Sequence, residues 1–362
     1  KKGDLLISRL GNGVGNAATV TEDRNDAVFA GYLVRFQPEP QTADAKFVGY
    51  QLQSRGWRDH VTSFRSGAAQ PTLNAQQMGK FGFLLPPLPE QRAIAATLGA
   101  LDDKIESNKR IISTIEALGS VYLEQELPTD GFGELEYDPV RRLGDLLAEL
   151  ETGSRPKGGL KALTAGVVSL GAQHIQSAGE CSQNEFGRVP EDFAAKMKRG
   201  RLREGDVLVY KDGGRPGNFI PHISAFGMGF PVEDATINEH VYRVRAGEGL
   251  SQGLLYWMLR SSWMDREMRR RGTGVAIPGL NSKNFRELPV PIHMDRLGSK
   301  LNGILDLLLT SALRYGAESR KLGELRDSLL PELLSGRTRV PSGEIVGRPG
   351  ARTNDRTEEV VP

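Results

Sequence analysis

The stretch KGDLLISRLGNGVGN (2–16) returns 202 positions later as EGDVLVYKDGGRPGN (204–218), setting Gly3 on Gly205, Asp4 on Asp206, Gly11 on Gly213, Gly15 on Gly217 and Asn16 on Asn218. No other feature constrains the fold as much, because a duplicated sequence has to build the same unit twice. Further matches follow at nearly the same offset. YQLQSRGW (50–57) overlays YWMLRSSW (256–263), with Tyr50 on Tyr256 and Trp57 on Trp263, and GAAQPTLN (67–74) overlays GVAIPGLN (274–281). LLPPLPEQR (84–92) falls on LPVPIHMDR (288–296), with Arg92 on Arg296 and, beyond it, Asp102 on Asp306. Offsets that drift this little describe two copies with small loop insertions. The first copy has no counterpart of about residues 141–203, and the chain opens on Lys1 without an initiator Met. It therefore reads as a piece that lost its beginning, with an incomplete first globule.

Each copy has two parts of different periodicity. The first holds short runs such as GDVLVY, GVVSL and EHVYRVR, punctuated by Gly, Pro and Asn, which read as strands. With one helix over LSQGLLYWMLRSSWMDREMRRR (250–271) they predict a compact α+β globule. The second part follows a proline stop, LPPLPEQ or LPVPIH, and predicts one long helix. In the first helix Ile94, Leu98, Leu101, Ile105, Ile112 and Ile115 step by four and three, with Asn108 in the gap. In the second, Leu301, Ile304, Leu308, Tyr315, Leu322 and Leu325 do the same, with Ser311 and Glu318 in the gaps. Each seam could pack on its own globule, but seams of equal length, both weakened near their middle, fit each other better. They predict an antiparallel coiled coil about a pseudo-twofold axis. The expected order is a globule over 1–88, a long helix over 89–127, a linker over 128–140, a second globule over 141–291, a second long helix over 292–335, and a disordered tail over 336–362.

Composition narrows the function classes. The chain is 38% hydrophobic and 25% charged, ordinary for a soluble globular protein. No run approaches the roughly 18 apolar residues of a membrane span, and a cytoplasmic location is expected. The single cysteine, Cys181, cannot close an intrachain disulfide, and five scattered histidines without CxxC or HExxH spacing build no metal cage. His174, His222 and His240 read as ordinary residues. The sequence contains no P-loop, no GxSxG elbow and no [DN]PP[YFW] tetrapeptide. The carboxylate pairs Asp102–Asp103 and Glu233–Asp234 read as solvated. No catalytic residue, metal or cofactor is expected.

GNGVGN (11–16) follows a strand, as a dinucleotide-binding turn would. That fingerprint also needs a helix starting within the glycines and an acidic residue about twenty positions on. AATVTEDRNDAVFAGYLVRF reads instead as strand, polar turn, strand, and the second copy, GGRPGN, keeps counterparts of Gly11, Gly15 and Asn16 alone. These three read as a turn scaffold with variable residues between them. Net charge is +2, but positive charge gathers in AKMKRGRLR (195–203) and REMRRRGTG (266–274). One such cluster reads as a solvated face; two in one globule weigh toward an anionic partner. A helix of roughly 35 residues spans ~50 Å, or about 15 base pairs. Two similar, non-identical globules on such a ruler suit a split DNA site.

PLPEQRAIAATLGALDDKI within LLPPLPEQRAIAATLGALDDKIESNKRIIS (84–113), its weaker copy over 288–336, and RRLGDLLAELETGSRPKG (141–158) resemble the DNA-specificity subunit of type I restriction-modification systems. The likeness covers almost everything from Lys1 to about Val340. It implies two target-recognition domains alternating with two helical segments that pair antiparallel. It further implies a non-catalytic subunit that carries two DNA methyltransferase subunits and directs them, with restriction/translocase subunits, to a bipartite site on double-stranded DNA. Two other readings stay open: the recognition module of a fused restriction-methylation polypeptide, and a coiled-coil scaffold without a DNA role.

If the globules read DNA, contacts should come from Arg, Lys, Asn and Gln on loops. The two glycine loops offer Arg9, Asn12 and Asn16 in one copy and Lys211, Arg215 and Asn218 in the other. Asn16 and Asn218, common to both, are expected to brace the turn or touch phosphate; Asn12, Lys211 and Arg215 are better placed to read bases. After the globule's helix come Arg269, Arg270, Arg271, Thr273, Asn281 and Lys283, with Arg65, Gln70 and Asn74 at equivalent places. That segment suits phosphate or a plain solvated helix end. Trp57, Trp263, Tyr50 and Tyr256 are expected in the core rather than stacked on bases.

Overall fold

The computed structural model of the chain describes residues 1–64, 72–127, 137–157, 159, 163–182, 186–215, 218–272, 274, 278–291 and 299–340. The chain divides into two units, Lys1–Leu101 with Leu325–Pro362, and Asp102–Glu324. Both are mixed α+β, each a globule on a pair of long-helix segments.

In the first unit β1 (Leu5–Ser8), β2 (Ala17–Thr19) and β3 (Leu33–Phe36) form an antiparallel sheet in the order β2-β1-β3. The alternation of β1 buries Leu5 and Ile7 against Val14, Trp57, Val61, Leu73 and Met78. Helices α1 (Ala45–Gln51), α2 (Arg55–Ser63) and α3 (Ala75–Met78) each start at a side chain that accepts a first-turn N–H: Asp44, Ser54 and Asn74. Helix α4 (Leu88–Glu126) begins here, and Ile94, Ala95 and Leu98 pack with Phe47, Tyr50, Leu333 and Leu334.

The second unit adds β4 (Tyr137–Arg142), β5 (Leu147–Thr152), β6 (Val167–Leu170), β7 (Gly187–Val189), α5 (Glu191–Lys196), β8 (Val207–Tyr210), β9 (Gly214–Arg215), β10 (Asn218–Phe219), β11 (His222–Ala225), β12 (Ala235–Ile237) and β13 (Val241–Ala246). Then follow α6 (Gln252–Arg260), α7 (Ser262–Arg271), α8 (Ser282–Arg286), β14 (Pro289–Pro291) and α9 (Ser299–Leu334). Within the sheet β11-β8-β13-β5, the three strands β11-β8-β13 repeat the antiparallel order β2-β1-β3 of the first unit. Leu5 lies between Thr19 and Phe36, and Val207 lies between Ala225 and Val244. β5 and the small sheet β12-β6-β7 have no equivalent among the described residues of the first unit. β4 pairs with β14, so strand structure starts at Tyr137, within the expected 128–140 linker.

Three expectations need correction. The helix expected over 250–271 is two, α6 and α7, broken at Ser261, whose backbone is extended (φ −61°, ψ 151°). Its buried hydroxyl donates to Met258 O (2.7 Å) and accepts from Met264 N–H (3.3 Å), ending one helix and starting the next. The alignment at this helix also moves. The N-caps Asp44, Ser54 and Asn74 correspond to Ser251, Ser261 and Asn281, all 207 residues apart. That sets Tyr50 on Trp257 and Trp57 on Met264, not on Tyr256 and Trp263. All four aromatics of the sequence alignment are buried as expected. Finally, residues 337–340 of the expected disordered tail make contacts. Arg337 pairs with Glu332 (2.7 Å) and Val340 packs beside Leu333 and Leu334; 341–362 lie outside the described residues.

The long helices run antiparallel within the second unit. Lys104 and Asn108 of α4 reach Glu318 (3.3 and 2.9 Å), and further along, Gly119 lies on the Trp257 ring, whose Nε1 donates to Leu305 O (3.2 Å). The α4 seam keeps Ile94, Leu98, Ile112 and Ile115 buried, with Leu101 and Ile105 half-buried. The α9 seam differs from expectation. Leu301 is buried, but Ile304, Leu308, Tyr315 and Leu322 are half-buried and Leu325 is exposed. The deepest stripe is Leu305, Leu309, Ala312 and Leu313. Helix α9 therefore has two contact faces. Leu305 meets the globule at Trp257 and Ala312 meets it at Gly179, while Tyr315 and Glu318 face α4.

At the junction of α4 with the second globule, Glu116 accepts from Tyr256 OH (3.0 Å) and from Arg260 (3.0 Å). Burial, and then the charge of Glu116, raise the Glu180 carboxyl above its ordinary 4.5, against Lys109 and Arg260. A raised folded-state value favours the protonated form, so this contribution is present in acid and is lost as pH rises through that value. Glu180→Gln should therefore unfold at higher denaturant than the parent near neutral pH, with the gap closing well below 4.5. Urea titrations at the two pH values check this; a gap that persists in acid refutes it.

Candidate nucleic-acid interface

The glycine loop of the first unit is closed by its own strand. Ser8 N–H donates to Asn16 O (2.8 Å), Gly15 N–H donates to Ser8 O (2.8 Å), and Leu73 N–H donates to Arg9 O (2.9 Å). Trp57 Nε1 braces the loop by donating to Gly15 O (2.7 Å). Gly15 sits at φ +86°, where a Cβ would also run into Val61. Arg9, Asn12, Asn16 and Asn74 thus lie on neighbouring exposed segments. This is a hairpin-like loop with no helix entering it, and not a cofactor turn.

The second unit repeats the stitching. Leu280 N–H donates to Lys211 O (2.8 Å) and Gly213 N–H donates to Pro278 O (2.9 Å), tying the end of β8 to the segment before α8. β9 then folds back on β10, with Arg215 opposite Asn218, and Gly214 at φ +115° leaves no room for a side chain against Asn218 O. Arg269 Nη1 donates to Phe219 O (3.2 Å), and Asn284 Nδ2 donates to Arg271 O (3.2 Å). Loop 211–219, the end of α7 and the start of α8 therefore form one surface carrying Lys211, Arg215, Asn218, Arg269, Arg270, Arg271, Asn281 and Lys283. Arg65, Gln70 and Thr273 lie outside the described residues.

Partners separate these side chains. Asn74 Oδ1 accepts Gln77 N–H (2.8 Å) and Asn281 Oδ1 accepts Asn284 N–H (2.8 Å), so both are helix caps first. Lys211 Nζ pairs with Asp212 (2.8 Å) and lies over the Tyr242 ring, and Asp212 also meets His240 Nδ1 (2.9 Å). Arg269 pairs with Asp265 (2.7 Å); Arg270 and Arg271 pair with Glu267 (2.7 and 3.3 Å). Burial would raise the Glu267 carboxyl, but hydrogen bonds and charge from Arg270 and Arg271 hold it below its ordinary value. Arg9 and Arg215 are exposed and have no ion-pair partner among the described residues. Sequence reasoning missed the Asp212–His240 contact, which joins positions 28 residues apart and leaves no local pattern. Among the described residues no group of His, Cys, Asp and Glu is arranged to hold a metal, and no helix is long and apolar enough to cross a membrane.

A duplicated α+β globule presenting a glycine loop, each copy seated on long-helix segments, defines a class of twin-module proteins. Residues 1–117 match the family model of the type I restriction modification DNA specificity domain. The specificity subunit of the type I restriction enzyme MjaIX from Methanocaldococcus jannaschii is 19% identical over 317 residues, 82% of this chain and 69% of that protein. The HindI specificity subunit from Haemophilus influenzae is 24% identical over 152 residues, 41% of this chain and 31% of that protein. The S subunit of a type I restriction-modification system from M. genitalium shares the fold, with a TM-score of 0.51 at 17% identity over 92% of this chain and 83% of that one. The chain is thus similar in sequence to type I restriction enzyme specificity subunits, and its first third matches their DNA specificity domain model.

Proposed function

We propose that this chain is the non-catalytic DNA-recognition subunit of a type I restriction-modification complex. Each globule, over 1–88 and 141–291, addresses one half of a bipartite site on duplex DNA. The helices over 89–127 and 292–335 set the spacer and dock two methyltransferase subunits, with restriction/translocase subunits joining the assembly in the cytoplasm. The observation that carries this reading is the recurrence of one device: a glycine loop at a strand end, stitched by backbone hydrogen bonds to the segment that enters an Asn-capped helix. The scaffold recurs while the side chains differ, as two modules reading different bases require. Protein docking is supported by Leu118, Val121 and Tyr122 of α4 and Leu307 of α9, which are exposed on the helix segments of the second unit.

The test is to purify the chain with its neighbouring methyltransferase subunit and map methylation over random DNA. A split motif with a fixed gap is expected, and replacing residues 211–218 should alter one half of it. A continuous motif, or none, refutes the reading; methylation by a single polypeptide that includes this chain would instead identify a fused enzyme.

A further inference from the structure

We propose that Lys157, Lys198 and Arg199 grip the phosphate backbone of the duplex beside the bases addressed by loop 211–219. The proposal rests on the DNA-recognition reading above and adds a second contact surface to it.

The basic stretch 195–203 sorts by partner. Lys196 pairs with Asp192 (3.8 Å), and Arg201 holds both oxygens of Asp234 (2.8 and 2.7 Å). Lys198 and Arg199 are exposed and, among the described residues, have no ion-pair partner; the same holds for Lys157.

Placement brings these three to the loop's end of the sheet. Gly200 packs so closely on the backbone of Gly153 that a Cβ would come within 2.7 Å of the Gly153 Cα. The stretch 196–200 therefore crosses the point where the chain leaves β5 toward Lys157. Ile237 N–H donates to Gly200 O (2.9 Å), and three residues on, His240 meets Asp212 through Nδ1 (2.9 Å) and accepts Lys211 N–H at its carbonyl (3.1 Å). The remaining charges there offset one another: Lys211 with Asp212, and Arg155 with Glu239 (2.6 Å). Glu151, which accepts Gly200 N–H, is likewise held by Arg243 (2.6 Å), so among the described residues what stays uncompensated at this end is cationic and exposed. Such groups carry no base information and suit phosphate oxygens.

The experiment compares the full chain with its Lys157→Ala/Lys198→Ala/Arg199→Ala variant on a mixed-sequence duplex, by fluorescence anisotropy across a salt series. Each lost phosphate contact lowers the slope of log K against log salt by about 0.9. The triple variant should lose about 2 to 3 in slope, weaken on every sequence alike, and melt at the parent temperature because all three side chains are exposed. A parent that binds while the variant's slope is unchanged refutes the proposal and leaves the recognition reading standing. A parent that does not bind duplex refutes both. A slope loss of about 0.9 in Lys196→Ala, as large as one full phosphate contact although its ammonium is already paired, would indicate diffuse charge and also overturn the proposal.

Discussion

Gly316→Ala should destabilise the second unit, whereas the same change at Gly303 or Gly323 of the same helix should stabilise it. Helix propensity alone favours alanine at all three by about 1 kcal/mol. The surroundings reverse the sign at one of them. A Cβ at Gly316 would overlap the Gly179 carbonyl, while Gly303 and Gly323 have nothing within 4 Å. The obstacle is backbone and cannot rotate away. Gly179 is itself held at φ +77°, and a side chain there would overlap the Ala312 carbonyl, so the two glycines let chain and helix touch. With alanine at 316, α9 must lift from the globule and uncover part of its Leu305–Leu313 stripe. Overpacking of this kind costs about 1 to 3 kcal/mol. A unit of this size loses about 2 to 4 °C of melting temperature per kcal/mol. Calorimetry should show Gly316→Ala melting below the parent, with Gly303→Ala and Gly323→Ala at or above it. A Gly316→Ala melt at or above the parent would mean that α9 does not seat on Gly179.

These glycines also show which parts of the fold were legible in the sequence. The duplication was readable because strand-end glycines and turn asparagines have few substitutes. The register through the helices was not, because aromatic residues replace one another in a core. Tyr50 could be set on Tyr256, although the side chains that start the helices, Asp44, Ser54 and Asn74, set it on Trp257. N-caps are the better ruler, since each must accept an N–H at a fixed place. For a related reason, the α9 seam accounts for only one of that helix's two packed faces. A helix packed on two sides has apolar residues on two faces, and a step of four and three selects one of them. Leu305, Leu309 and Leu313 form the other, at a uniform step of four, and they meet the globule. At the candidate interface the turn of the glycine loops was legible, but which of their charges are already paired was only partly so. The acids that occupy Arg269, Arg270 and Arg271 lie three or four residues earlier on α7, a readable pattern.

That difference in availability separates Arg215 from Lys211, two loop cations that the sequence treats alike. Arg215 is exposed on β9 without an ion-pair partner among the described residues, so its five donors can meet a base edge. An arginine bidentate to guanine contributes about 1 to 3 kcal/mol of discrimination. Arg215→Ala should therefore lower affinity for the recognised site by roughly ten- to a hundredfold and relax base preference at one position of one half-site. Lys211 is already engaged by Asp212 at 2.8 Å and by the Tyr242 ring, and its own N–H holds His240 O. A base would have to displace Asp212 to reach it, leaving a carboxylate beside His240 without its lysine. Lys211→Ala should accordingly keep the recognised bases unchanged while loosening the loop, seen as lower affinity on both recognised and altered sites. Competition binding with duplexes altered one position at a time measures both effects. Equal weakening of Arg215→Ala on every sequence would move Arg215 to the phosphates, and a relaxed base preference in Lys211→Ala would show that the Asp212 pair opens on DNA.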